Sequence, residues 1–131
     1  MNGDLASRQA ALVAALVSGA PVPSGFDDRL VGVARRALLR KRADDVRRQW
    51  PMLAASFGPA WVSTFATWAE TRESRGSLRD GWDLARSRAP LAAAAAAELR
   101  EREALWAYDG ASAPRRRGRV SAAVRMWWAR R

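Results

Sequence analysis

Residues 50–61 read WPMLAASFGPAW and separate two helical patterns in the chain. A residue that precedes proline disfavours the helical conformation, so the upstream helix is predicted to end near Trp50 and Pro51. Downstream, Gly58 provides a stop, and Pro59 suits the first turn of a new helix, where its missing N–H is not needed. The stretch therefore predicts a helix end on one side and a helix start on the other.

Two helices are predicted upstream of this boundary. Asp4 is a good N-cap for the first helix, and Gly19 is a good stop. The second helix is predicted to begin at Asp27 and to extend to Trp50, which makes it the longest in the chain. Residues 19–25 contain two prolines and two glycines and cannot continue a helix, so they form a linker or an ordered bend.

Three further helices and no strand pattern are predicted downstream. The first follows from apolar residues at helical spacing over residues 61–69. The second opens at residues 77–80, which resemble a capping box with aspartate in place of glutamate. The third covers residues 91–108. The expected fold class is all-α, a compact bundle of about five helices that forms one domain over residues 1–110.

Residues 111–131 form a basic C-terminal tail that is predicted to be amphipathic and helical. The tail contains seven arginines and no acid, whereas residues 1–110 contain 16 bases and 13 acids, a net charge of +3. Helical spacing places four apolar residues of the tail on one face, namely Val120, Val124, Trp127 and Trp128. Isolated helices shorter than about 12 to 15 residues are marginal in water, so the tail either docks on another surface or is disordered.

The composition excludes several kinds of active site. The chain has no cysteine and no histidine, so it lacks thiol nucleophiles, thiolate metal ligands and imidazole bases. Glu98, Glu101 and Glu103 alternate with arginines, and this pattern predicts solvated ion pairs rather than a catalytic pair of carboxylates. We therefore expect a binding protein and not an enzyme, with no cofactor and no bound metal.

The N-terminal sequence predicts a cytoplasmic protein. The first residues contain no basic segment, and the apolar run from Ala10 to Val17 is too short and too rich in alanine for an export signal or a membrane span. The lack of cysteine also excludes a disulfide-stapled secreted scaffold. A membrane partner is not expected.

A ladder of cations along the second predicted helix is the first candidate binding surface. Spacings of three to five residues place several of these groups on adjacent turns, which suits phosphates or the carboxylates of an acidic peptide. A solvated helix face explains the pattern equally well, and no helix-turn-helix, zinc-finger or RNA-binding signature accompanies it. The cations are Arg35, Arg36, Arg40, Lys41, Arg42, Arg47 and Arg48.

The tryptophans divide into a core group and a tail pair. Five of them occupy the apolar faces of predicted helices and are expected mainly in the core, with one or two lining a peptide groove. The five are Trp50, Trp61, Trp68, Trp82 and Trp106. Trp127 and Trp128 in the tail, together with Arg115, Arg116 and Arg117, could instead bind anionic lipid, nucleic acid or a groove on a partner. We favour docking on a partner, because one short segment buries little area in a membrane.

The order of short motifs between residues 50 and 103 resembles a known bacterial family. An aromatic-Pro-x-Leu segment is followed by a glycine, an aromatic-rich helix, a Leu-x-x-Gly-aromatic turn, and a last helix with glutamates. These motifs are Trp50-Pro51-Met52-Leu53, Phe57-Gly58, Trp61 through Trp68, Gly76-Ser77-Leu78-Arg79-Asp80-Gly81-Trp82, and Glu101 with Glu103. The pattern resembles the small helical partner proteins of bacterial multinuclear non-haem iron-dependent oxidases, which modify cysteines in ribosomally synthesised peptides.

The resemblance covers roughly residues 5–108 and implies a function without chemistry of its own. It implies a scaffold that binds the iron-dependent oxidase and helps to present its precursor peptide. The residues expected to bind the partner are Arg36, Arg40, Arg47, Arg48, Arg79, Asp80 and Trp82. Larger members carry a second, peptide-gripping domain that this chain is too short to contain.

A nucleic-acid-binding regulator is the alternative hypothesis. The N-terminal domain of the resembling family also carries a DNA-binding label. The same arginine-rich helix and the arginines of residues 111–131 would bind phosphates in this case. Nothing in the sequence alone decides between a protein partner and a nucleic acid.

Overall fold

The computed structural model describes residues 2–130, with the side chains of residues 4–118 and 124–130. Within that part of the chain the helices are α1 (Asn2–Ser18), α2 (Asp28–Gln49), α3 (Pro51–Phe57), α4 (Trp61–Ala69), α5 (Ser77–Ser87), α6 (Ala93–Leu105) and α7 (Arg119–Ala129). A 3-10 turn, Gly58–Ala60, joins α3 to α4. Strand β1 (Trp106–Ala107) pairs antiparallel with β2 (Arg115–Arg116). The expected all-α bundle is confirmed, with this short ribbon as its one departure among the described residues.

Four elements differ from the sequence prediction: α3, α6, β1 and β2. Helix α3 was not predicted, because seven residues are too few to show a helical period. The prediction for α6 was too long at its C-terminal end, since Trp106 adopts the extended conformation and begins β1. Neither two-residue strand was predicted, because an alternating pattern needs a longer run of residues.

Helix α2 lies at the centre of the bundle. Asp27 caps its N-terminus by accepting hydrogen bonds from the backbone N–H groups of Arg29 (2.8 Å) and Leu30 (3.3 Å). The buried face repeats at helical spacing and packs against α1, α3, α4 and α5. Its buried residues are Val31, Leu39, Ala43 and Val46.

Three fully buried tryptophans form the core with Phe65 and Leu53. The indole N–H of Trp50 donates to the carbonyl oxygen of Leu78 at 2.9 Å, and that of Trp61 donates to the carbonyl oxygen of Ala43 at 3.0 Å. The N–H of Trp82 donates to the carboxylate of Glu103 at 3.1 Å. The predicted core role is confirmed for these three, whereas Trp68 and Trp106 are half-buried against the same cluster.

Helix α6 satisfies the free backbone groups where α2 ends and α3 begins. The Glu98 carboxylate accepts from the N–H groups of Met52 (3.1 Å) and Leu53 (2.8 Å). The Arg102 guanidinium donates to the carbonyl oxygen of Gln49 at 2.6 Å and lies over the Trp50 ring. An anion at a helix N-terminus and a cation at a helix C-terminus each stabilise the helix by interacting favourably with its dipole. The prediction that the acids of α6 form only solvated ion pairs is therefore wrong for Glu98.

Gly81 in α5 is required by the close approach of Trp50. A Cβ at this position would overlap atoms of the Trp50 indole. Trp50 also meets Trp82 edge-on, with ring centroids 5.7 Å apart. The absence of a side chain at Gly81 therefore sets how closely α2 and α5 pack.

We expect Gly81→Ala to lower the free energy of unfolding by about 3 kcal/mol, because overpacking displaces a fully buried ring. Gly32→Ala in α2 is the matched control, since a Cβ there would lie 3.6 Å from the Arg36 guanidinium, an ordinary contact. It should stabilise the protein by about 1 kcal/mol through helix propensity. Urea denaturation followed by circular dichroism measures both, and equal effects of the two substitutions would contradict the packing role of Gly81.

Candidate functional site

The predicted cation ladder of α2 divides into an inward and an outward set. Arg35 donates to the carbonyl oxygens of Ala15 (2.8 Å) and Ala20 (3.2 Å), which fastens α1 to α2. Arg42 is largely buried and forms an ion pair with Asp80 at 3.3 Å. These two arginines hold helices together and do not belong to an exposed ladder.

The outward cations differ in whether they have an acidic neighbour. Arg47 forms an ion pair with Asp44 at 3.1 Å, and Arg48 forms one with Asp45 at 3.2 Å. Lys41 lies 3.8 Å from the same Asp45 carboxylate. Arg36 and Arg40 are exposed and form no hydrogen bond or ion pair with another described residue. Within the predicted ladder, these two guanidinium groups, one helical turn apart, are the ones left for a partner.

An exposed apolar stripe lies beside this pair of arginines. Leu30 and Val33 are 66% and 51% exposed, and Ala37 continues the stripe at i, i+3, i+7 spacing. Arg36 follows Val33 by three residues and Arg40 follows Ala37 by three, so cations and apolar groups adjoin on the helix surface. We call this surface the α2 outer face, and it consists of Leu30, Val33, Ala37, Arg29, Arg36, Arg40 and Arg47.

Helix α1 adds further exposed apolar residues near the start of α2. Arg8 lies over the Phe26 ring at 5.7 Å, and Arg35 reaches Ala15, so α1 and α2 run in the same direction. Leu5 and Val13 on α1 are exposed. Exposed apolar residues on neighbouring helices are typical of an interaction surface when they form one patch.

Two of the predicted partner-binding residues are buried, so their prediction as surface residues is wrong. Asp80 is 3% exposed, and Trp82 is fully buried. Asp80 does not complete a capping box with Ser77. Its carboxylate instead accepts hydrogen bonds from the Arg75 N–H (3.1 Å), the Ser74 hydroxyl (3.0 Å) and Arg42 (3.3 Å). The spacing of residues 77–80 resembled a cap because sequence alone does not show that the chain folds back before α5.

Asp80→Asn should reduce the free energy of unfolding by about 3 kcal/mol, because it leaves the buried Arg42 guanidinium without its counter-charge. Asp45→Asn is the control, since that carboxylate pairs with exposed cations. Surface ion pairs contribute at most about 1 kcal/mol, so the control should change stability little. Chemical denaturation of both variants makes the comparison, and similar losses in the two would refute a structural role for the buried pair.

A second polar network connects α5 to the segment after β1. The Tyr108 hydroxyl donates to Asp83 at 2.7 Å, and Arg75 donates to the other Asp83 oxygen at 2.8 Å. Arg79 donates to the carbonyl oxygen of Ala111 at 2.8 Å and stacks over Tyr108. Arg79, predicted to bind a partner, is therefore half-buried and holds residue 111 against the body of the fold.

Burial raises the pKa of Tyr108 above its usual value, and the hydrogen bond to Asp83 raises this pKa further. The folded protein therefore retains the phenol proton at a pH where the unfolded chain has lost it. Stability from this source is present below the usual tyrosine pKa of about 10 and is lost as the pH rises through the folded-state value.

Tyr108 is the only tyrosine in the chain, so its ionisation can be followed by ultraviolet absorbance. We expect a midpoint above about 10 in the folded protein and a normal midpoint in denaturant. Asp83→Asn removes the anionic acceptor and should move the folded midpoint back towards the usual value. A normal midpoint in the native protein would show that the hydroxyl is solvated.

The predicted tail residues divide between the surface and the body of the fold. Arg115 and Arg116 are exposed on β2, whereas Arg117 donates its side-chain Nε–H to the Glu103 carbonyl oxygen at 2.9 Å. Helix α7 packs against α6. Trp127 and Trp128 are 50% and 66% exposed and meet edge-to-face with ring centroids 5.3 Å apart. The side chain of Val120, predicted on the same apolar face, lies outside the described residues.

The part of the chain that the structure describes contains no candidate metal site and no candidate membrane span. No group of three or more acidic side chains is arranged there to hold a metal ion. None of the described helices combines the length and the apolar composition that crossing a bilayer requires.

Comparison with known proteins assigns the family. The model of the SCO6045-like C-terminal domain matches residues 6–90. The chain belongs to this family. A protein of Streptomyces avermitilis named UPF0276 protein is 44% identical over 82 residues, which are 62% of this chain and 17% of that protein. The chain thus spans less than a fifth of that relative's length. No solved structure matches this chain significantly.

One of the two candidate surfaces lies inside the matched region, and the other lies outside it. Residues 6–90 contain α2 with its outer face, and they end after α5. Helix α6, the ribbon and α7 follow the matched region. The α2 outer face is therefore part of the SCO6045-like C-terminal domain, whereas the arginine-rich tail lies beyond the match.

Proposed function

We propose that this protein is a non-catalytic partner that docks on a multinuclear non-haem iron oxidase and helps to present the oxidase's peptide substrate. The observation that carries the proposal is the α2 outer face, where two arginines without acidic neighbours adjoin an exposed apolar stripe. Apolar groups beside unpaired charges are typical of interface residues, because a partner can cover the first and neutralise the second.

The relative from Streptomyces avermitilis supports a role beside a larger protein. The 82 similar residues are only 17% of that polypeptide. A domain of this kind therefore occurs joined to a much longer chain, where docking on a neighbouring domain is one use for an exposed apolar face. We propose an iron-dependent oxidase as this neighbour because the sequence resembles oxidase partner proteins. Those proteins occur beside their enzymes or fused to them.

The α2 outer face also predicts the chemistry of the surface it meets. Leu30 and Val33 are 66% and 51% exposed, so burying what remains exposed would contribute roughly 1 to 2 kcal/mol for each side chain. The guanidinium groups of Arg36 and Arg40 would fix the orientation of the complex and raise its association rate if they face acidic groups on the partner. The partner surface should therefore be an apolar patch with carboxylates along one side.

Replacing Arg36 and Arg40 by glutamine should weaken binding of the co-expressed oxidase about tenfold, because the partner's carboxylates lose their counter-charges. The matched control replaces Lys41 and Arg48 by glutamine. It removes the same charge from the same helix, but these cations already share Asp45. Glutamine is a good helix former, so circular dichroism should show unchanged helical content in both double variants.

Affinity purification at moderate salt, followed by titration of the purified pair, measures the difference between the two double variants. Equal affinity in the two would remove the α2 outer face from the proposal. Failure of the wild-type chain to retain any oxidase would remove the proposed partner itself.

A nucleic-acid-binding regulator is the second candidate, favoured by the same two unpaired arginines and by a tail without acids. Each phosphate contact on B-DNA releases about 0.9 counterion, so affinity for duplex DNA would fall steeply with salt. Co-purified nucleic acid that high salt removes would favour this candidate. Stoichiometric oxidase with a weak salt dependence would favour the docking protein.

A further inference from the structure

A cleft of about 500 Å³ lies between α6 and α7, away from the α2 outer face. Its apolar lining comes from Ala104 on α6 and from Val124, Trp128 and Ala129 on α7. Arg100 and Arg125 contribute to the lining from the two facing helices. The cleft thus combines an aliphatic floor with a cation from each side.

The polar groups of the cleft leave a net positive charge for a ligand. The Glu103 carboxylate already accepts hydrogen bonds from Trp82 at 3.1 Å and from Arg86 at 2.9 Å. Arg100 and Arg125 form no hydrogen bond or ion pair with another described residue. Residues 111–131 contain no acid that could neutralise them. A ligand of this cleft should therefore carry negative charge.

The arrangement of the aromatic rings argues against single-stranded nucleic acid. Stacking of successive bases needs ring faces that the bases can lie upon in parallel. The planes of Trp127 and Trp128 instead stand at 84° to each other. The two indoles therefore cannot stack two neighbouring bases side by side.

The shape of the cleft argues against the other occupants. A bilayer surface would contact the exposed rings of Trp127 and Trp128, whereas the buried Ala104 belongs to the floor between the two helices. A symmetric dimer through this cleft would place the seven tail arginines of the second copy against the same cations. An aliphatic side chain, by contrast, fits a floor of alanine and valine, and guanidinium groups bind carboxylates in paired hydrogen bonds.

We propose that the α6–α7 cleft binds an acidic peptide segment of a partner protein, with an aliphatic side chain on the cleft floor and carboxylates on Arg100 and Arg125. This inference goes beyond the proposed function, because the cleft follows residues 6–90, which the family shares. It requires neither the α2 outer face nor an oxidase.

The first test uses the full chain and a fluorescein-labelled synthetic peptide of alternating glutamate and leucine. The matched control peptide alternates glutamine and leucine. Fluorescence anisotropy should show binding of the acidic peptide and much weaker binding of its neutral counterpart. No binding of the acidic peptide, or equal binding of the two, overturns the proposal.

The second test locates the binding to the cleft. Arg125→Glu should weaken binding of the acidic peptide about tenfold, which is the loss of affinity expected for one charge-assisted interaction. Arg130→Glu makes the same charge change on α7, but Arg130 does not line the cleft, so its effect should be less than about threefold. Arg100→Glu on the exposed side of α6 should reproduce the loss without altering α7, as circular dichroism would show.

Two results, one from these variants and one from binding of the wild-type chain to phosphate ligands, would contradict peptide binding in the cleft. The first is an equal loss in the Arg125 and Arg130 variants, which would indicate attraction by overall charge. The second is tighter binding of labelled oligothymidylate or of phosphatidylglycerol vesicles than of the acidic peptide, which would assign the surface to phosphates. The glutamine variants of Arg36 and Arg40 should leave peptide binding unchanged. Failure of the peptide-cleft proposal is therefore distinguishable from failure of the proposed oxidase docking.

Discussion

The contact between the Trp50 indole and Gly81 is the constraint on which the rest of the bundle depends. Trp50 ends α2, precedes Pro51, and donates its N–H to the backbone of α5 at Leu78. Its ring meets Gly81 on one side, and Arg102 of α6 lies over it at 4.8 Å. One side chain thus determines how α2, α5 and α6 approach one another.

Arginine serves two purposes in this protein, and tertiary contacts separate them. Arg35, Arg42 and Arg102 donate to backbone carbonyls or to a buried carboxylate and connect helices. Arg36 and Arg40 occupy the same helix as the first two, yet they face solvent. A rotation of one residue along α2 changes the direction of a side chain by about 100°, since the helix has 3.6 residues per turn. The net charge of the chain therefore overstates the charge that a partner would meet.

The two proposed surfaces belong to different parts of the molecule. The α2 outer face lies within the region that the SCO6045-like family shares, and the α6–α7 cleft lies beyond it. Arg79 of the shared region connects the two parts by donating to the backbone carbonyl oxygen of Ala111. A docking surface in the shared domain and a peptide cleft in the added part would let one small chain hold two segments at once. That arrangement is consistent with a protein that positions partners and performs no chemistry.

The sequence by itself determined the helical class, most helix boundaries and the core role of Trp50, Trp61 and Trp82. These features follow from local rules: proline and glycine end helices, and apolar residues repeat at helical spacing. Only the tertiary structure decided that Asp80 is buried, that Glu98 caps α3, and which cations remain exposed. Each of these depends on a partner far away in the chain. Helical spacing fixes the face on which a side chain lies, but packing between distant segments decides whether that face meets another helix or water.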